Sequence, residues 1–363
     1  MTDVIEFRNV SKSYHNHAVI KNFNLKIQAD SFSVILGAPG SGKSVLLRIL
    51  TGLEKPNIGE IYLRGVPAES LSPGERNIGY IPQSFALYPH YKIYDNIAYP
   101  LALSGASKKE IDQVVQRTAE MLRITKLLNK TPDQLSGGEK QRVAIARGIA
   151  KQTDIFVFDD PLTGLDFKLR EQLFDDLKNL QDTLKATFVY ISSDALEALI
   201  LARQIGILYD GTCVESGDLV SVYNTPSNSH TMEMLGFPKS NVVPGKLMKK
   251  DGKDFCQTDI FSFPVRLDQP ATDTVSVGFR PQNVILNAPA GQALLSASAK
   301  ILLKEDLGGE LVVHLSIGDH KITSVVRQDH LGDLGEESTK IGLDPSNALV
   351  FESTSGRRIG QGA

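Results

Sequence analysis

Two stretches of this chain carry residues whose types and spacing suit phosphate chemistry. The first, GAPGSGKS at 37–44, fills every fixed position of G-x-x-x-x-G-K-[ST]. It follows an apolar run, SFSVIL (31–36), and opens VLLRILTGL (45–53), whose apolar residues have helical spacing. In that setting Gly37, Ala38, Pro39, Gly40, Ser41 and Gly42 can curl so that successive N–H groups face a phosphate, with the helix N-terminus adding partial positive charge. Lys43 would reach the β- and γ-phosphates of a nucleotide, and Ser44 would ligate Mg²⁺. A plain glycine-rich turn is the bland alternative. The second stretch is DIFVFDDPLTGLD at 154–166, where an apolar run ends in Asp159 and Asp160. Two acids at the mouth of a buried strand need a cation, a proton-transfer task or open solvent. Beside a phosphate loop, Asp159 would hold Mg²⁺ directly or through water, helix capping being the alternative. Asp160, one residue on, points its side chain elsewhere.

A further anion site is written into LSGGEKQRVAIARGIA (135–150), where Ser136, Gly137 and Gly138 start a helix. One nucleotide on one chain does not need two such sites. Two chains facing each other do, the Ser-Gly-Gly of one closing on the nucleotide held by the other.

The elements that must position these residues are legible in outline. Strand-like runs at 31–36, 155–158 (IFVF) and 187–191 (TFVYI) alternate with helical stretches near 45–53, 168–184 and 194–203, and 95–131 is mostly helical. That alternation predicts a parallel α/β sheet. Near residue 240 the character changes. SNVVPGKLMKKDGKDFC reads as a hairpin turning at Asp251-Gly252, and short strands follow at 275–279, 298–303, 311–326 (turning near Gly318-Asp319) and 348–352. This spacing predicts a small β-barrel of the OB type, with GRRIGQGA left as a loose tail.

Composition bounds the possibilities. The 363 residues suffice for two domains, and 22% charged against 41% hydrophobic residues is a globular profile. A net charge of -3 gives no argument for nucleic acid, and Cys213 and Cys256 lack metal-ligand spacing, as expected of a reduced cytosolic protein. The acidic start MTDVIEFRNV does not read as a signal peptide, and no apolar run reaches the length of a spanning helix.

With both phosphate motifs in place, the sequence resembles the ATP-binding subunits of ABC transporters, and within them the carbohydrate-importer group. The resemblance implies a P-loop NTPase fold of α/β class: an ABC ATP-binding domain over 1–238, with a helical subdomain at about 88–134, and a C-terminal all-β, OB-like regulatory domain of TOBE type over 239–363. VGFRPQNV (277–284) and GLDPSNALVF (342–351) carry the resemblance in that second part. It also implies roles for single residues. Tyr14 matches the aromatic that stacks on adenine, and Gln83 the glutamine that touches Mg²⁺ and senses the transmembrane partner. FALYPHYKIYDNIAYPL (85–101) is similar to the groove for that partner's coupling helix, and Asp166 to a residue that crosses the dimer interface. Ser136, Gly137, Gly138 and Glu139 are the signature that acts in trans. The implied cofactors are ATP and Mg²⁺. The implied partners are a second ATPase subunit, two transmembrane permeases and an extracytoplasmic solute-binding protein, with no nucleic acid, at the cytoplasmic face of the cell membrane.

Two positions depart from the family pattern. The magnesium aspartate is normally followed by a glutamate acting as general base; here it is Asp160, shorter by one C–C bond of about 1.5 Å. The strand FVYISSDALEAL (188–199) is similar to one ending in Thr-His-Asp, and Ser193 stands at the histidine. Both losses concern hydrolysis and leave ATP–Mg²⁺ binding intact. The expectation is an ATP site that holds more than it cuts, paired with a competent, non-identical ATPase subunit. A slow homodimeric ATPase and a regulatory subunit with negligible turnover are the alternatives. A polyol or glycerol-type solute is the expected cargo by analogy.

Overall fold

The structure is a computed structural model that describes residues 2–250, 252–269, 272–288, 295–327 and 337–363. The chain forms two compact units, Met1–Leu219 and Val220–Ala363.

In the first unit β1 (Asp3–Tyr14) and β2 (His17–Gln28) form a long antiparallel hairpin. The phosphate loop then joins β3 (Phe32–Gly37) to α1 (Lys43–Thr51), followed by β4 (Ile58–Leu63), β5 (Val66–Pro67) and β6 (Gly79–Ile81). Next come α2 (Ile93–Leu103), α3 (Lys108–Met121) and α4 (Gly137–Ile149), which account for the helical middle of the sequence. The chain returns to the sheet with β7 (Ile155–Asp159), α5 (Phe167–Leu184), β8 (Thr187–Ser192), α6 (Ala195–Leu201), β9 (Gln204–Tyr209) and β10 (Thr212–Asp218). The larger sheet runs β10-β9-β3-β8-β7-β6. Its ladders from β9 to β6 are parallel and β10 closes the edge antiparallel. Every residue of β3, β7 and β8 is buried, which is why these strands read as unbroken apolar runs rather than alternations. A second, antiparallel sheet, β2-β1-β4-β5, shares a core with α1 through Phe7, Phe23, Leu46 and Leu50.

The division falls at the first residue of α7 (Leu219–Asn224), and α8 (Ser229–Met234) follows in the second unit. Its strands are β11 (Asn241–Lys250), β12 (Lys253–Thr258), β13 (Ser262–Leu267), β14 (Thr274–Phe279), β15 (Ile285–Leu286), β16 (Leu295–Asp306), β17 (Glu310–Ile317), β18 (His320–Arg327), β19 (Ser338–Leu343), β20 (Leu349–Glu352) and β21 (Arg358–Gly362). They divide into a closed barrel, β11-β12-β13-β21-β20-β14, and a five-stranded sheet, β15-β19-β16-β17-β18. The all-β class expected from the sequence is what forms, but the strands from 298 to 326 leave the barrel for that sheet. The hairpin between β11 and β12 pairs Lys250 with Lys253, while Asp251 of the expected turn lies outside the described residues.

Two expectations differ from the fold. The units part after Leu219, upstream of the boundary expected at 238/239, because the 220–238 segment packs within the second unit. Buried Arg280 donates to the carbonyls of Tyr223 (2.7 Å), Met232 (3.3 Å) and Leu235 (2.5 Å). The tail GRRIGQGA is not loose: β21 is a barrel strand paired with β13 and β20. Its glycines are close-approach positions, since a Cβ on Gly360 would meet the Arg266 carbonyl oxygen at 2.4 Å and one on Gly362 that of Pro345 at 2.0 Å. Ile359, fully buried just before them, anchors the strand. Replacing it by alanine should remove about 2–5 kcal/mol from the barrel's unfolding free energy, read as a lower urea midpoint for that unit.

Candidate functional site

The carboxyl ends of β3, β6, β7 and β8 lie along one edge of the parallel sheet, the edge where open α/β sheets bind ligands. A cavity of about 500 Å³ opens there, lined among others by Lys43, Ser44, Gln83, Asp160, Thr163 and Ser193. Residues far apart in the chain meet because the ladders run in register, Leu36 beside Ser192 and Asp159 beside Ile191.

The loop between β3 and α1 is built for an anion. Gly42 takes φ 103°, and a Cβ there would meet Ile20 Cδ1 at 2.6 Å, so the turn into α1 requires glycine. The helix starts with no side-chain cap and no acid in its first turn, leaving its N-terminal amides free for a negatively charged group. Ser41 Oγ is buried without a hydrogen-bond partner. Lys43, itself buried, folds back to donate to the carbonyls of Gly37 (2.6 Å) and Ala38 (3.0 Å). Burial pushes its ammonium below the usual lysine range, opposed by the charges of Asp160 and Asp159.

Asp159, buried at the end of β7, accepts from two hydroxyls: Ser44 Oγ at 3.1 Å on Oδ1 and Tyr80 OH at 2.9 Å on Oδ2. Among the described residues no group of three or more His, Cys, Asp or Glu side chains could hold a metal by itself. One carboxylate beside a serine hydroxyl fits Mg²⁺, which keeps waters and takes its remaining ligands from phosphate oxygens. Asp160 has φ 46°, a left-handed conformation that aspartate tolerates better than most residues. Its amide donates to the Ile191 carbonyl at 3.2 Å, tying the end of β7 to β8.

Beyond β8, Ser193 is exposed and faces the cavity. The turn that carries it is held by a partly buried network the sequence reading missed. Arg170 Nη2 donates to Asp194 (2.5 Å) and Glu197 (2.7 Å), and Glu197 also accepts from Tyr190 OH (2.9 Å) and Ser192 Oγ (2.6 Å). Burial raises the Glu197 carboxyl above its ordinary range, against the pull of those hydroxyls and the guanidinium. No local pattern marked it, since Arg170 lies 24 and 27 residues before its partners Asp194 and Glu197.

Other expected residues lie away from this cavity. Tyr14 is not among its lining residues; its hydroxyl donates to Glu54 at 2.5 Å and the Lys12 ammonium sits 5.3 Å over its ring. Ser136 caps α4 in a capping box, accepting from the Glu139 amide (3.3 Å) while Glu139 accepts from the Ser136 amide (2.8 Å). Gly137 and Gly138 form the first turn of that helix. Asp166 caps α5 by accepting from the Leu169 amide at 3.0 Å. None of these lines the cavity of its own chain.

Comparison with known proteins agrees with this geometry. Residues 20–163 match the family model described as "ABC transporter". The chain is 34% identical to the maltose/maltodextrin import ATP-binding protein MalK of Mannheimia succiniciproducens, over 96% of this chain and 95% of the relative. It is 33% identical to the sulfoquinovosyl glycerol transport ATP-binding protein SmoE of Agrobacterium fabrum, over 98% and 99%. The sn-glycerol-3-phosphate import ATP-binding protein UgpC of Yersinia pseudotuberculosis is 32% identical over the same shares, 98% and 99%. Among solved structures, the dimeric ATP-binding cassette MJ0796 bound to ADP and Pi superposes with TM-score 0.54 at 32% identity, covering 59% of this chain and 98% of that one.

Removing Arg170 would leave Glu197 buried without its cation, a loss on the order of 3–5 kcal/mol for a broken buried pair. Arg170→Leu should therefore lower the unfolding midpoint of the first unit markedly, and adding Glu197→Gln should recover part of the loss, both read by urea unfolding.

Proposed function

This chain belongs to the ATP-binding proteins of ABC transporters, and from that membership we propose that it is the nucleotide-binding subunit of an importer for a sugar or glycerol-type solute. The observation that carries this reading is the cavity at the carboxyl edge of the sheet, with Lys43, Ser44 and Gln83 lining it and Asp159 hydrogen-bonded to Ser44. The near full-length similarity to maltose, sulfoquinovosyl glycerol and glycerol-3-phosphate import proteins supports the cargo class. The uncapped amides of α1 and the loop from Gly37 through Ala38, Pro39, Gly40, Ser41 and Gly42 bind the phosphates of ATP, and Lys43 turns from its own carbonyls to the β- and γ-oxygens. Ser44, Asp159 and Gln83 hold Mg²⁺, which supplies charge neutralisation at those oxygens. Tyr14 offers its ring to the adenine.

Among the described residues no helix is long and apolar enough to cross a membrane. By likeness to the import proteins above, the subunit acts from the cytoplasmic face of the cell membrane, with two permease subunits as its transmembrane partners and a solute-binding protein delivering cargo from outside.

The hydrolytic half of the site is weak. Asp160 stands where the family places a glutamate base, and Ser193 where it places a histidine. Serine donates one hydrogen bond, is shorter than an imidazole and cannot carry charge. A misplaced base of about 1 Å costs on the order of a hundredfold. Ser136, Gly137, Gly138, Glu139 and Asp166 lie outside the chain's own cavity, which suits service in trans. The second ATPase subunit is then a non-identical one with the glutamate and histidine in place.

Turnover measurements separate this from a slow homodimeric ATPase. The chain alone should bind ATP–Mg²⁺ and hydrolyse it barely, and Asp160→Asn should change the activity of the reconstituted pair little. Asp160→Glu with Ser193→His should raise turnover at this site by up to about a hundredfold. Robust hydrolysis by the isolated chain that disappears in Asp160→Asn would establish the homodimer instead.

A further inference from the structure

We propose that Tyr80 is a positioning residue for magnesium, its hydroxyl setting which oxygen of Asp159 faces the cation. This rests on the reading of Asp159 as a magnesium ligand and adds to it a residue outside every motif of the site.

The placement follows from β6 and its neighbour. Tyr80 pairs with Val157 in the parallel ladder to β7. Its flanking residues face the side of the sheet that carries α4: Gly79 lies against Phe156, and Ile81 against Gly148 of that helix. Alternation along a strand sends Tyr80 to the opposite side, where its ring packs against the apolar cluster that includes Leu46, Leu47, Leu50 and Val157. From there the hydroxyl reaches the end of β7 and donates to Asp159 Oδ2 at 2.9 Å.

The two oxygens of Asp159 are thereby made unequal. Oδ2 is held by a hydroxyl whose ring is fixed in packing, while Oδ1 has Ser44 Oγ, an exposed side chain on the first turn of α1 at the cavity. Oδ1 is the oxygen left to face a cation beside Ser44. Partners of this kind, one bond removed from the metal, typically matter about 10–100-fold in metal affinity.

Tyr80→Phe keeps the ring in its packing and removes only the hydroxyl. Binding of a fluorescent ATP analogue to the full chain would be titrated with Mg²⁺, and repeated in EDTA. The expected result is a 10–100-fold rise in the Mg²⁺ concentration at half-effect, with affinity in EDTA unchanged. An unshifted Mg²⁺ titration would overturn the proposal, since a purely packing role survives in phenylalanine. Equal weakening in EDTA would also overturn it, because the hydroxyl would then be supporting the nucleotide pocket rather than the cation site. Asp159→Asn provides the separate check on the underlying reading. If Asp159→Asn leaves the Mg²⁺ dependence intact, Asp159 is not the ligand and both readings fall. If it abolishes the dependence while Tyr80→Phe does nothing, only this inference fails. A variant that unfolds at lower urea than the parent is replaced by the double-mutant comparison: within Asp159→Asn, Tyr80→Phe should have no further effect on Mg²⁺ dependence.

Discussion

The parallel pairing of β3, β8 and β7 is the constraint on which the rest of the site depends. It sets Leu36 beside Ser192 and Asp159 beside Ile191, so the phosphate loop, the acid pair and the serine turn all open on one edge. The strands are buried on both faces, which fixes their register through the apolar residues packed above and below. A slip of one residue would turn Asp159 into the core and bring Phe158 to the edge. Such a carboxylate without partners would cost far more than any single bond at the site returns.

How each charge near that edge is satisfied separates the groups reserved for a ligand from those that hold the frame. Glu197 meets a guanidinium and two hydroxyls and has nothing left to offer. Arg280, in the second unit, spends its donors on backbone carbonyls and the Ser240 hydroxyl, so that it ties segments together as Arg170 does in the first. Asp159 instead meets hydroxyls only, and Lys43 only the carbonyls of its own loop. A neutral donor moderates a carboxylate without cancelling it. Both charges thus stay available to a phosphate and its cation.

Several residues read from the sequence as chemical turn out to have structural occupations too. Ser136 and Asp166 each cap a helix. A short oxygen-bearing side chain at a helix start can satisfy the first-turn amides and still lie at the surface where a partner arrives. Asp160 shows the converse. Its left-handed backbone and its amide bond to Ile191 serve the turn, and the side chain is held beside the cavity as a result.

The sequence by itself determined the parts whose chemistry is local. A glycine-rich loop between an apolar strand and a helix has one common use, and the acid pair after a buried run, the Ser-Gly-Gly helix start and the α/β alternation each follow from short-range pattern. What it hid were relations between distant segments. Tyr80 and Asp159 are joined by strand pairing, and Arg170 and Glu197 by the packing of α5 on α6, and no spacing in the chain encodes either distance. Gly360 and Gly362 looked like a slack tail because glycine signals freedom until a neighbouring backbone is known to press against it. The separation of barrel from sheet in the second unit, and the return of 220–238 to it, likewise required the partners of β21 and Arg280 to be seen. Local pattern names the groups that can act. Only the tertiary contacts decide which are tied down, because burial and pairing are properties of neighbours rather than of sequence.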